Sequence, residues 1–285
     1  VAENKSDRTL QCYEEGVRQF CTFLEERRLP TEVGAIRTEH VDAFMVHLRD
    51  DLGRKPSTLA NRFASLQQFF RWAEDVDALI PRSPMAKMAK PTVPVQPVAY
   101  LTDAQTEALV KDCATGGGFE DRRDEAIIRV FIDTGCRLGE VADLRLEDVD
   151  LVARELRVVG KGGSWRRAYI GPKTVRALDR YGRVRADHPH AGLPELWLGR
   201  KGPMTTSGIG QMLDRRGGRA GIAHIHPHMF RHGFARYVKA RGESDETVMQ
   251  LGGWRSADVM RRYGTSAADE RARDAHRNLA PADRF

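Results

Sequence analysis

The chain has 285 residues, 41% of them hydrophobic, with 46 Lys+Arg against 40 Asp+Glu and a formal net charge of +6. That length fits one or two domains, and the apolar share is enough for a packed core, which excludes a disordered chain. No apolar run approaches the ~20 residues of a membrane helix, Val1-Ala2-Glu3-Asn4-Lys5 opens no signal-peptide core, and Cys12, Cys21, Cys113 and Cys136 form no CxxC pair, so the expectation is a soluble, cytoplasmic, reduced protein.

Residues 7–28 read as an amphipathic helix, because Leu10, Tyr13, Val17, Phe20 and Leu24 recur at steps of three and four. Val41, Phe44, Met45 and Leu48 form a second stripe. Pro56-Ser57 opens a third helix, with Ser57 as its expected N-cap and Leu59, Phe63, Leu66, Phe70 and Ala73 facing inward. Pro81 and Pro84 are expected to end it, and Met85–Met88 is a candidate fourth helix. The first 90 residues therefore read as a small all-helical domain. Three prolines at 91, 94 and 97 predict a semi-rigid linker over 91–99.

Residues 100–285 read as a second, mostly helical domain with a small β-hairpin. Thr102-Asp-Ala-Gln105 resembles a capping box. Residues 121–133 and 138–144 read as helices, separated by Thr134-Gly135-Cys136-Arg137. Strands are expected at 155–159 and 165–170 around the turn Gly160-Lys161-Gly162-Gly163. Helices resume near 173–185, 207–216, 228–241, 245–251 and 256–263, and a charged tail helix covers 266–285. The fold class is thus mainly α in both domains, with one hairpin or small sheet.

The charge is uneven. Residues 1–92 carry 14 basic and 14 acidic side chains, so the whole excess lies beyond them. Of the basic residues 37 are Arg and 9 are Lys, and Arg presents the better fork to phosphate oxygens. A basic surplus of this size points toward a polyanion without identifying one.

Five segments carry candidate chemistry. In Thr134-Gly135-Cys136-Arg137-Leu138-Gly139-Glu140 an arginine follows a tight glycine turn, and Glu140 can hold its guanidinium. The alternative is a surface ion pair at a helix start. Lys161 sits on the hairpin turn; Gly160-Lys161-Gly162-Gly163 lacks the spacing and context of a phosphate-binding P-loop. In His226-Pro-His228-Met-Phe-Arg231-His232, His228 and Arg231 share a helix face. His228 and His232 at i,i+4 have the spacing of a zinc-ligand pair, but no Cys or HExxH pattern accompanies them and Arg231 would repel a cation, so no metal is expected. Leu251-Gly-Gly-Trp254 places an indole after two glycines, and Tyr263 follows nine residues later. Each of the last two also reads as ordinary packing.

The order Arg137, Lys161, His228-x-x-Arg231-His232, Trp254, Tyr263 resembles the boxes of the tyrosine recombinases, or phage integrase family: TGxRxxE, a hairpin lysine, HxxRH, and Gly-[His/Trp] with a tyrosine nine residues on. The resemblance spans nearly the whole chain. Trp254 is the rarer residue at its box, and Asp133 is not a required position. The resemblance implies that 1–90 is a core-binding domain and 100–285 the catalytic domain. It implies a site-specific recombinase or integrase that works without metal, ATP or cofactor, through a 3′-phosphotyrosyl intermediate. Arg137 and Arg231 would then grip the phosphate, His228 would accept a proton, Lys161 would deliver one, Trp254 would pack the site and Tyr263 would attack; Glu140 and His232 would support them. The partner implied is a double-stranded DNA recombination site, bound by a homotetramer that brings two sites together and exchanges C-terminal tails. No membrane role is implied, and the location expected is cytoplasmic, on the nucleoid when DNA is bound. The readings set beside it are a type IB topoisomerase-like nicking-closing enzyme, a non-catalytic DNA-binding relative and a zinc nuclease.

The residue types suit that chemistry. A phosphodiester is an anion that repels nucleophiles, and two arginines can stabilise the charge that grows as it reacts. Tyrosine has a pKa of ~10 and needs nearby positive charge or a base. Arg122, Arg123, Arg166 and Arg167 are further candidates for phosphate contacts.

Overall fold

The computed structural model describes residues 7–76, 78–94, 98–160, 163–254, 256 and 276. It divides into two compact units, Val1–Gln96 and Pro97–Phe285.

In the first unit α1 (Asp7–Glu26) packs on α3 (Pro56–Asp75). Gly16 lets them approach: a Cβ there would stand 2.5 Å from the Ser65 Cβ. Phe20, Phe44, Phe63 and Phe70 fill the core, joined by Leu24, Leu48 and Leu66. Rings of Phe20 and Phe44 lie 5.2 Å apart and tilted, which favours edge-to-face attraction. Only the second half of the expected α1 stripe is buried, since Leu10 stays 47% exposed. Between the long helices, α2 (Thr38–Val46) runs on as a π-helix over His47–Asp51, which keeps Leu48 buried.

Three expectations for this unit are corrected. Ser57 is not the N-cap of α3; Lys55 holds that place, and Pro56 stands inside the first turn. Proline is preset for that position because its missing N–H has no helical partner there. The helix ends at Asp75, ahead of both prolines. Residues 84–87 form a turn rather than a helix; the turn nonetheless buries Met85 and is tied down by the Thr38 hydroxyl, which donates to the Pro84 carbonyl at 2.6 Å.

The second unit is built around α5 (Phe119–Thr134), which packs against α4 (Asp103–Ala114), α7 (Pro172–Ala186) and α9 (Pro227–Ala240). Such a helix must be apolar on most sides, and Ala126, Ile127, Ile128, Val130 and Phe131 are fully buried. Its first turns carry buried charges instead. Arg216, from α8 (Thr206–Arg219), donates to Asp112, Asp121 and Asp124, while Arg123 pairs with Asp124. The α4 capping box forms as expected, with the Gln105 N–H donating to the Thr102 hydroxyl at 3.2 Å.

Gly135 ends α5 in the left-handed region at φ +56. A Cβ there would meet the Phe234 ring at 2.8 Å, so both backbone and space demand glycine. The short α6 (Leu138–Ala142) follows, and then the sheet. The expected hairpin is β2 (Glu155–Val159) with β3 (Trp165–Tyr169), and β1 (Val149–Asp150) adds a third strand in the antiparallel order β1-β2-β3. Strand alternation turns Leu156, Val158 and Ala168 inward and Trp165, Arg167 and Tyr169 outward. A two-residue ribbon joins β4 (Leu198–Gly199) to β5 (Gly202–Pro203). The last described helix is α10 (Asp245–Gly252). Lys161, the helix expected at 256–263 with Tyr263, and nearly all of the tail over 266–285 lie outside the described residues.

Candidate active site

Three segments far apart in sequence meet at the end of α10. A helix leaves its last carbonyls without helical partners, and cations are favoured there by the dipole. Arg231, on the buried side of α9, donates through Nη1 to Gly252 O and to Gly135 O, both at 2.7 Å. Arg137, at the start of α6, donates through Nη2 to Gly253 O at 3.3 Å. Gly253 takes φ +67, the left-handed turn that exposes these carbonyls sideways. Gly252 has no room for a side chain, because Trp254 folds back onto its α-carbon.

Trp254 is 8% exposed and joins Ala235, Val238 and Val248 in a small core. Its ring lies beneath Arg231, with the guanidinium carbon 3.7 Å from the centroid. That stacking holds the guanidinium by one face and leaves its nitrogens to be used in plane. Arg231 is 3% exposed, and its Nη2 has no hydrogen-bond partner among the described residues.

Glu140 holds Arg137 from two directions: Oε1 accepts from Nη1 at 2.6 Å and Oε2 accepts from the Arg137 backbone N–H at 3.0 Å. Burial works against its charge. The Arg137 backbone N–H, the field of Arg166 and the Arg137 side chain outweigh that, and the carboxyl is held below its usual range. Arg137 itself keeps 46% of its side chain exposed.

Arg231 has the opposite problem. Burial, and then the like charge of Arg137, push its pKa down to about 10, against which Glu140 gives partial relief. It stays protonated at neutral pH, but the site holds more positive charge than its own carboxylate cancels.

His228 stands on the solvent side of α9. Its ring stacks toward His232 with centroids 6.0 Å apart. Partial desolvation first, and then His226, Arg231 and Arg137, lower its pKa, so the ring is neutral at pH 7. Among the described residues no three His, Cys, Asp or Glu side chains gather as metal ligands.

The structure thus brings Arg137, Glu140, Arg231 and Trp254 into contact and sets His228 one turn from Arg231. Two of the further arginines are corrected: Arg123 is 4% exposed and bound to Asp124 and Leu198 O, and Arg166 turns inward onto Glu140. Neither is free for a phosphate. Arg122 donates to Gly117 O at 3.0 Å, and Arg167 remains 62% exposed. Sequence reasoning missed the inward role of Arg166. Strand alternation was the available signal, since 166 shares a face with Ala168 and opposes Trp165 and Arg167.

Residues 99–270 match the model of the phage integrase family, and residues 1–78 match the phage integrase N-terminal SAM-like domain. The tyrosine recombinase XerD of Bifidobacterium longum is 30% identical over 267 residues, 90% of this chain and 85% of its own. The tyrosine recombinase XerC of Herpetosiphon aurantiacus is 28% identical over 95% of this chain and 89% of its own. Among solved structures, XerH recombinase bound to palindromic difH substrate matches with a TM-score of 0.77 at 16% identity, covering 93% of this chain and 78% of that one. A lambda integrase dimer bound to a COC′ core site matches at 0.71 and 17% identity, covering 92% and 90%. The chain belongs to the phage integrase family, and its activity is that of a tyrosine site-specific recombinase. Relatives of this kind do not favour the topoisomerase-like or the non-catalytic reading.

Proposed function

We propose that the chain cuts and rejoins double-stranded DNA at specific sites through a 3′-phosphotyrosyl intermediate on Tyr263. The observation that carries this is the paired arginine site: Arg231, buried on Trp254 with an unused Nη2 among the described residues, beside the Glu140-held Arg137. Two cations kept together at the expense of each other's charge fit an anion that arrives later. A phosphodiester supplies one negative charge, and the attacking tyrosinate adds another in the transition state.

The step balances without an external energy source. The Tyr263 Oη forms a bond to phosphorus while the bond from phosphorus to the 5′-oxygen breaks. His228, neutral at pH 7, takes the phenolic proton. Lys161 gives a proton to the departing 5′-oxygen. Arg137 and Arg231 stabilise the non-bridging oxygens, and His232 supports His228. A second 5′-OH can then attack the same phosphorus and release Tyr263, so bond energy is conserved and strands are exchanged. These steps use side chains of this chain alone.

The helical unit Val1–Gln96 serves as the DNA core-binding domain and Pro97–Phe285 as the catalytic domain. The chain would act as a homotetramer on two sites with exchange of C-terminal tails; a lambda integrase tetramer bound to a Holliday junction shares its fold, which supports the tetramer. No helix among the described residues is long and apolar enough to cross a membrane, and the proposed location is the cytoplasm, on the nucleoid when DNA is bound.

The test is cleavage of a nicked duplex that carries a site selected from a random library. The wild-type chain is expected to form an SDS-stable DNA adduct in excess EDTA, and Arg231→Ala to slow its formation by ~10²–10³. Loss of the adduct in EDTA, or an unchanged rate in Arg231→Ala, contradicts the proposal.

A further inference from the structure

Arg166 lies on β3 with 19% of its side chain exposed. Its Nη2 reaches three acceptors: Glu140 Oε2 at 3.2 Å, Gly252 O at 3.2 Å and Cys136 Sγ at 3.4 Å. The first two are not arbitrary acceptors. Glu140 is the carboxylate that holds Arg137, and Gly252 O is the carbonyl that takes Arg231. One guanidinium therefore touches the support of each phosphate-gripping arginine. Its Nε lies against Gly253, where any Cβ would collide with it, so the glycine that turns the chain also makes room for Arg166.

Fold stability alone does not account for this placement. The Arg166 Nε is buried without a hydrogen-bond partner among the described residues, which is unfavourable for a charged group. Its charge also makes Arg231 harder to protonate. Arg137, Arg166 and Arg231 against Glu140 leave two positive charges over, the complement of a doubly charged phosphorane.

We propose that Arg166 is a positioning residue for strand transfer: it fastens Glu140 to the end of α10 and so fixes the spacing of Arg137 and Arg231. The inference rests on the reading of those two arginines as the phosphate grip. Lysine cannot replace it, because all three contacts are made by Nη2 and a lysine ammonium ends one bond closer to the backbone than that nitrogen.

The test compares Arg166→Ala, Glu140→Gln and the double variant on the nicked duplex described above. DNA affinity, unfolding temperature and the single-turnover rate of adduct formation at saturating protein are measured for each. Arg166→Ala is expected to slow the rate about 10- to 100-fold, the scale of a small misplacement of reacting groups, with the dissociation constant changed less than about threefold. Added methylguanidinium should recover part of the rate, and Arg166→Lys should not restore it. The double variant should be little slower than the slower single one, since both break one link. A rate near wild type in Arg166→Ala, multiplicative losses in the double variant, or a parallel fall of affinity, stability and rate without rescue overturns the proposal. Arg231→Ala, run alongside, separates the two readings. If it slows the reaction and Arg166→Ala does not, only the positioning role falls. If it too leaves the rate intact, the phosphate grip falls and the positioning role with it.

Discussion

At the residue scale, the site is defined by how charge is withheld from solvent. Arg231 stays protonated although burial and Arg137 oppose it, and His228 is kept neutral by partial desolvation and the positive fields around it. The second effect predicts a pH profile. The folded chain takes up the His228 proton later than the unfolded chain as pH falls, so the neutral ring contributes stability above the unfolded pKa of ~6.5 and loses it below. Adduct formation should therefore hold steady down to about pH 6.5 and decline only under more acid conditions. An inflection above pH 7 that His228→Gln removes would contradict the lowered pKa. Much at this scale was legible in sequence, because Arg137–Glu140 and His228–Arg231 sit at i,i+3, a spacing that helical geometry converts to proximity. For Arg166 strand alternation could give the inward face but not the partners, which lie 26 and 86 residues away in sequence and which no local rule reports.

At the element scale, α10 and its turn organise the site. Its carbonyls anchor all three arginines, and the two glycines shape the turn for different reasons: Gly253 for its left-handed backbone, Gly252 for the space under Trp254. Gly252→Ala should therefore overpack the Trp254 ring and destabilise the second unit by about 1–3 kcal/mol, read as a lower unfolding midpoint together with slower adduct formation. Thr102→Ala, which removes the α4 cap, should cost about 1 kcal/mol and leave the rate of chemistry unchanged. Equal unfolding midpoints for wild type and Gly252→Ala would show that Trp254 does not pack as described. Helices with long apolar stripes were legible in the chain, as α3 and α5 show. The missed features are short: β1 has two residues and its pairing is set by β2. Met85 is buried by a turn held from Thr38, so its apolar character was a sign of burial and not of helix.

At the scale of the whole molecule, the net charge of +6 says less than its division. The first 92 residues are neutral in sum, and much of the arginine in the second unit is spent on internal pairs such as Arg216 with three aspartates. DNA affinity should nonetheless depend steeply on salt, because each phosphate contact releases counterions; six to ten contacts would lower it by roughly 10³–10⁵ between 50 and 200 mM. A flat response, measured by titration of a labelled duplex, would contradict binding along the phosphate backbone.

The central claim is that Tyr263 is the nucleophile served by the paired arginines. It is tested most directly by incubating wild-type and Tyr263→Phe chains with the nicked duplex, denaturing in SDS, and mapping any DNA-linked peptide by mass spectrometry. The account predicts an adduct on Tyr263 in the wild type and none in Tyr263→Phe, with DNA affinity the same for both. An adduct that persists in Tyr263→Phe, or one that maps to another residue, would contradict it.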